Sequence, residues 1–190
     1  METTHEDPFF SLSQRSDEEI NLALGALLIA KDAYPELDTN IYLEQLDQLA
    51  LEAQERTDET DDSSAQIAQL NHYLFEEKGF KGNQGDYYNA RNSYLNDVLD
   101  RKLGNPITLS VVYIEMGKRM ELPIVGVSFP GHFIVKHMGE HLETFIDPFE
   151  GGQILSEEGL LERLRTVFQQ PAPPMQPEFL TEVSNREILA

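Results

Sequence analysis

His132, Asp147 and a hydroxyl near position 108 are the side chains whose types and order could do chemistry. Thr108 and Ser110 come first, then a histidine, then an aspartate. That is one order in which a nucleophile, its base and the group that orients the base can occur. An aspartate beside an imidazole fixes the ring's tautomer and stabilises the imidazolium. A thiol would be the stronger attacking group, but the chain has no cysteine. Thiol acyl transfer, disulfides and thiolate metal sites are therefore excluded. Two readings remain: a hydroxyl nucleophile, Thr108 or Ser110, or a cleft with none.

The elements that must position these groups can be read from the same stretch. Strands are expected over Ile124–Phe129, Phe133–Met138 and His141–Ile146. Gly139-Glu140 fits a two-residue type II′ hairpin, which pairs 138 with 141, 136 with 143, 134 with 145 and 132 with 147. In that register Lys136 meets Glu143 and Ile134 meets Phe145 on one side. His132 then lies directly opposite Asp147, with Cβ atoms about 4.5–5.5 Å apart. The pair reads either as a hydrogen bond that stiffens the hairpin or as a functional base and orienter.

Before the strands, Asn105 as N-cap and Pro106 at the first helical position start a helix over about 106–120. Ile107, Leu109, Val111, Val112, Ile114 and Met116 make it apolar on nearly all sides, so it is central and buried. Its start opens into the interior or a cleft, with Ile107 and Thr108 in the first turn and backbone N–H groups at a positive dipole end. Asn92, Asn105 and Ser110 are candidate cleft or oxyanion donors, and Asn83 and Asn96 belong to the same polar approach. Caps and turn bonds are the competing role for the asparagines. His132, His137 and His141 do not make a metal site, because His137 falls on the opposite face and two imidazoles cannot close one. Gly82-x-x-Gly85 lacks the lysine and preceding strand of a phosphate loop. No metal or cofactor is expected.

The remaining chain is helical before the site and irregular after it. Ser16 and Glu19 form a capping box ahead of a helix carrying Ile20, Ala23, Leu24, Leu27 and Leu28, stopped at Tyr34-Pro35. A second helix from Asp38 or Thr39 buries Leu43, Leu46, Leu49 and Ala50. An acidic connector, 57–64, leads to a third from about Ser64, ended by Gly79. Asn92 or Ser93 caps a short helix through Leu103, closed by Gly104. A last core helix starts near Ser156 and runs through Phe168. The expected organisation is a helical N-terminal segment over 1–80, a core over 81–168, a proline-rich linker over 169–180 and the start of a truncated helical extension over 181–190. The net charge is −20, and residues 1–62 hold 17 acidic and 3 basic residues. Such a surface repels phosphates and anionic lipid, which excludes nucleic acid and membrane as partners. With no basic signal-like start and no span-length apolar stretch, the chain reads as cytoplasmic.

The layout Asn92-Ser93-Tyr94-Leu95, Gly104-Asn105-Pro106-Ile107-Thr108-Leu109-Ser110, Leu122-Pro123, Pro130-Gly131-His132-Phe133 and Ile146-Asp147-Pro148-Phe149 resembles the bacterial SirB family. Leu22–Pro35 and Asn185–Leu189 extend that resemblance over nearly the whole chain. It implies an α+β, transglutaminase-like fold related to papain-like proteases, a central helix on an antiparallel sheet, usually followed by tetratricopeptide repeats. It also implies a triad of cysteine, histidine and aspartate. His132 and Asp147 match the last two, and the cysteine position falls at Ile107 or Thr108. The expectation is a non-catalytic binding or scaffold module with a protein partner. The alternative is a hydrolase or acyltransferase using Thr108 or Ser110 with His132 and Asp147.

Overall fold

The computed structural model describes residues 8–56, 62–139, 142–168 and 173–190. Helices α1 (Pro8–Ser13), α2 (Leu22–Lys31), α3 (Thr39–Arg56) and α4 (Ser63–Asn71) come first, α4 continuing as a π-helical turn over His72–Glu77. Two-residue strands β1 (Lys81–Gly82) and β2 (Leu103–Gly104) flank α5 (Leu95–Arg101) and pair parallel. Then come α6 (Pro106–Arg119), β3 (Ile124–Val127), β4 (Ile134–Met138), β5 (Glu143–Asp147), β6 (Gln153–Leu155), α7 (Glu157–Phe168), β7 (Glu182–Val183) and α8 (Asn185–Leu189). The fold is α+β, with β6-β5-β4-β3-β7 as one antiparallel sheet.

Local chemistry explains where the helices begin. Asn105 caps α6 by accepting the Thr108 N–H at 2.8 Å, and Pro106 opens the helix as expected. The Ser16–Glu19 box also forms, the Glu19 carboxylate accepting the Ser16 N–H and hydroxyl. It governs only a 3₁₀ turn over Asp17–Glu19, however, because Ile20 is extended. Asn21 then caps α2 through the Leu24 N–H at 2.9 Å. The short helix expected through Leu103 ends at Arg101. Lys102 adopts the left-handed conformation (φ 60°), which frees Leu103–Gly104 to pair with Lys81–Gly82. Neither Asn92 nor Ser93 caps that helix; Tyr94 holds the position.

The core has two clusters, one on each face of the sheet. Ile124, Val135 and Ile146 face α6 and the N-terminal helices, packing with Leu27, Leu46, Leu70, Leu99 and Val112. On the other face Val127, Ile134 and Leu155 meet Leu160 and Leu164 of α7. Met175, Phe179 and Leu180, from the stretch read as a linker, pack on this second cluster too. Beyond them β7 joins the sheet edge, and the N–H groups of Asn185 and Arg186 donate to the Asp17 carboxylate at 3.2 and 2.9 Å. Glu115 of α6 is buried, accepts the Ala23 N–H at 3.0 Å and pairs with Arg119, which also reaches Asp47.

The hairpin register differs from expectation by two residues. Val135 pairs with Ile146, Lys136 with Phe145, His137 with Thr144 and Met138 with Glu143. A slip of two leaves every side chain on its predicted face, so alternation alone cannot distinguish the two registers. The connection is longer than a two-residue turn, and Glu140 and His141 lie outside the described residues. Lys136 and Glu143 still form an ion pair at 3.2 Å, now as diagonal neighbours.

Candidate functional site

Asp147 closes β5 with a side chain that has no exposed surface. Its Oδ1 accepts the N–H groups of Phe149 at 3.0 Å and Glu150 at 3.3 Å, folding the chain back immediately after the strand. Its backbone carbonyl accepts the Gly152 N–H at 2.9 Å. Gly151 and Gly152 both have positive φ, a conformation that favours glycine. The remaining oxygen, Oδ2, meets His132 Nε2 at 2.9 Å and the Arg163 guanidinium at 2.5 Å. Four donors thus surround this buried carboxylate.

His132 is not a strand partner of Asp147, which corrects the opposed-pair expectation. It sits in the turn before β4, after Gly131 (φ 71°), with its N–H bonded to the Phe129 carbonyl. The turn brings the ring back over the end of β5, so the two groups meet without sharing a ladder position. Asp147 only accepts, so Nε2 carries the proton; in the neutral ring Nδ1 is then an acceptor. The imidazole lies edge-on to Phe149 at 6.0 Å, and Phe149 meets Tyr87 at 5.8 Å. Tyr87 in turn touches Tyr88, whose side chain is 95% exposed.

The attacking side of a triad is not assembled. Thr108 Oγ1 donates to the Asn92 carbonyl at 2.6 Å and accepts the Asn105 N–H at 3.1 Å. Ser110 is fully buried in α6, and its Oγ has no hydrogen-bond partner. Neither hydroxyl bonds to His132. The outward-facing residue of the first turn is Ile107, 43% exposed.

Nor do the asparagines point their amides at a reaction centre. Asn92 is buried; Nδ2 donates to the carbonyls of Asp86 and Tyr87, and Oδ1 accepts from Asn83 at 2.9 Å. Asn105 caps α6 and donates to the Ser93 hydroxyl at 3.1 Å. Of the two roles open to Asn92 and Asn105, oxyanion donor or cap and turn bond, their amides here make the second: they fasten the tyrosine loop to the start of α6. Asn96 lies elsewhere, in an open cleft of about 640 Å³ with Tyr34, Asp97 and Asp100. There Arg91 and Tyr34 both bind Asp97, and the hydrogen bond to that carboxylate pushes the Tyr34 hydroxyl's pKa up. His137 occupies the opposite sheet face from His132, and burial lowers its pKa. Among the described residues, no three His, Cys, Asp or Glu side chains converge as a metal set.

Arg163 is the site residue that sequence reasoning missed. The available signal was its place between Leu160 and Leu164, on the face of α7 that docks onto the sheet beside Asp147. No helix among the described residues is long and apolar enough to cross a membrane.

A family model described as the transglutaminase-like superfamily matches residues 40–190. The UPF0162 protein of Xylella fastidiosa (strain 9a5c) is 43% identical over 155 residues, 82% of this chain and 55% of that protein. Its counterpart in strain Temecula1 is 42% identical over 163 residues, 86% of this chain and 58% of that protein. F-box only protein 21 of Mus musculus is 37% identical over 95 residues, 46% of this chain and 15% of that protein. The chain thus spans little more than half the length of the two bacterial relatives. No solved structure matches it.

Proposed function

The chain belongs to the transglutaminase-like superfamily, and on that premise we propose that it is a member without a nucleophile, a module that holds a protein segment beside His132. One observation carries the reading: Thr108 donates its proton to the Asn92 carbonyl and Ser110 is sealed inside α6, so neither candidate hydroxyl is bonded to the imidazole. What the site retains is suited to binding. Asp147 and Arg163 fix His132 in one tautomer, leaving Nδ1 to accept a hydrogen bond from a partner. A chain of ring contacts leads from His132 through Phe149 and Tyr87 to the exposed Tyr88, Ile107 is exposed at the start of α6, and tyrosines are frequent anchors of protein interfaces. The kinship with bacterial SirB proteins, and the tetratricopeptide repeats that follow the domain there, belong to the same proposal. A repeat array adjoining this surface would enlarge the area offered to a partner.

The oriented His132–Asp147 pair also favours a second reading, acyl transfer or hydrolysis through Thr108. That reading requires Thr108 to leave the Asn92 carbonyl and approach Nδ1 when substrate binds. Affinity capture with the chain and its Tyr88→Ala and His132→Ala variants tests the first reading. The expected result is a partner whose recovery falls at least about tenfold with Tyr88→Ala, the loss of roughly 1.4 kcal/mol that one interface anchor carries. Equal recovery by wild type and both variants would overturn it.

A further inference from the structure

We infer that Asn71, at the junction between α4 and its π-helical turn, is a positioning residue for the His132–Asp147 site. This rests on the reading of that site as functional, and the test below separates the two. Asn71 is distant in sequence from every site residue, yet its amide bridges the site's two supports. Its Oδ1 accepts the Tyr113 hydroxyl of α6 at 2.8 Å, and its Nδ2 donates to the Gly152 carbonyl at 2.9 Å. Both bonds orient the amide the same way, because a backbone carbonyl only accepts.

Gly152 ends the turn that begins at Asp147, and its N–H is bonded to the Asp147 carbonyl. The fit around it is tight. A Cβ at Gly152 would lie 2.5 Å from Asn71 Oδ1 and 2.6 Å from the Phe75 ring. Phe75 stacks on Tyr113 at 6.1 Å, so Asn71, Phe75 and Tyr113 form one cradle for this glycine. The π-helical turn, in which the Lys78 N–H reaches the Tyr73 carbonyl, follows directly after Asn71 and carries Phe75. Such insertions re-aim side chains that a regular helix would place elsewhere.

The consequence runs through the turn. Between Asp147 and Gly152 lies Phe149, whose N–H holds Asp147 Oδ1 and whose ring meets both His132 and Tyr87. The Phe149 carbonyl also accepts the Gly82 N–H at 3.2 Å. With one end of the turn pinned by Asn71, the carboxylate can face the imidazole only one way. Without that pin, the far end of the Asp147–Gly152 turn loses its bond to Asn71 and, through it, its link to Tyr113 of α6, which loosens the turn carrying both the orienting carboxylate and the Phe149 ring.

Two-dimensional NMR of the His132 ring nitrogens reads this directly, since it reports which nitrogen carries the proton. At a pH where the imidazole is neutral, the wild-type chain is expected to give a single Nε2–H tautomer. Asn71→Ala and, independently, Gly152→Ala are each expected to mix the two tautomers and shift the Phe149 ring signals. Tyr73→Phe lies on the same turn and removes only the hydroxyl's bond to Glu52. It is expected to leave the His132 signals in place, which distinguishes positioning from loss of stability. A folded Asn71→Ala chain whose His132 stays in the Nε2–H form would overturn the inference. Mixed tautomers already in the wild type would instead refute the oriented site on which it rests.

Discussion

Replacing Asp147 separates the structural work of that carboxylate from whatever His132 does. Asp147→Ala leaves the Phe149 and Glu150 N–H groups without acceptors and the Arg163 guanidinium facing an empty space. A buried donor stripped of its partner costs about 1–3 kcal/mol, and breaking a buried ion pair about 3–5 kcal/mol. Arg163 is 26% exposed and recovers part of its hydration, so a loss of about 4 kcal/mol is expected. Asp147→Asn keeps an oxygen for the two backbone donors but puts an amide NH2 where Oδ2 accepted from His132 and Arg163, and with part of the Arg163 charge rehydrated about 2 kcal/mol is expected. His132→Ala removes one donor from a carboxylate that keeps three, and the ring is 15% exposed, so about 1 kcal/mol follows. Urea unfolding reads the series. With a slope of about 2 kcal/mol/M, the midpoints should fall by about 2 M, 1 M and 0.5 M respectively. If His132→Ala cost as much as Asp147→Ala, the imidazole would be structural cement and the reasoning would fail.

Three further outcomes follow from the same contacts. Thr108→Val should cost about 1 kcal/mol by leaving the Asn92 carbonyl with only the longer bond from the Asn105 N–H, and should loosen the 83–92 loop, measured by amide hydrogen exchange there. Glu115→Ala should cost about 3–5 kcal/mol in chemical denaturation, because it strands the Ala23 N–H and removes the buried carboxylate from Arg119, which keeps Asp47 and the residue-115 carbonyl. His137 is held below the ordinary imidazole range by burial, so the unfolded chain binds its proton first as pH falls. Stability should therefore be unaffected by this group above the ordinary imidazole pKa of about 6.5, and should decline from there down to the lower folded value. His137→Leu should flatten that stretch of the stability curve, and an unchanged slope in the variant would assign the effect to other groups.

How much of this was legible before folding depended on whether the determinant was local. The start of α6 was readable because Asn105 and Pro106 act on the next few residues. Strand alternation put His132 and Asp147 on one side, but the turn before β4 makes their contact, and the β4–β5 register was misplaced by two. Alternation repeats every second residue, so it fixes faces without fixing register. Arg163 escaped because its place between Leu160 and Leu164 marks the buried face of α7, while its meeting with Asp147 depends on where that face docks. Asn71 escaped for the same reason, with the added shift of a π-helical turn. The Ser16 box misled about length: it described its own turn correctly, while Asn21 captured the helix proper. Met175, Phe179 and Leu180 stand among prolines that suggest a linker, yet their apolar side chains complete the second core cluster. The missing cysteine was the plainest reading, since it is visible without any fold.

The central claim, that this site holds and does not attack, is tested most directly by intact-mass analysis of the purified chain after incubation with an acylating thioester and a fluorophosphonate, with peptide mapping of any adduct. The account predicts that the mass of the folded chain does not change. A stoichiometric adduct on Thr108 or Ser110 that disappears in the His132→Ala variant would contradict it.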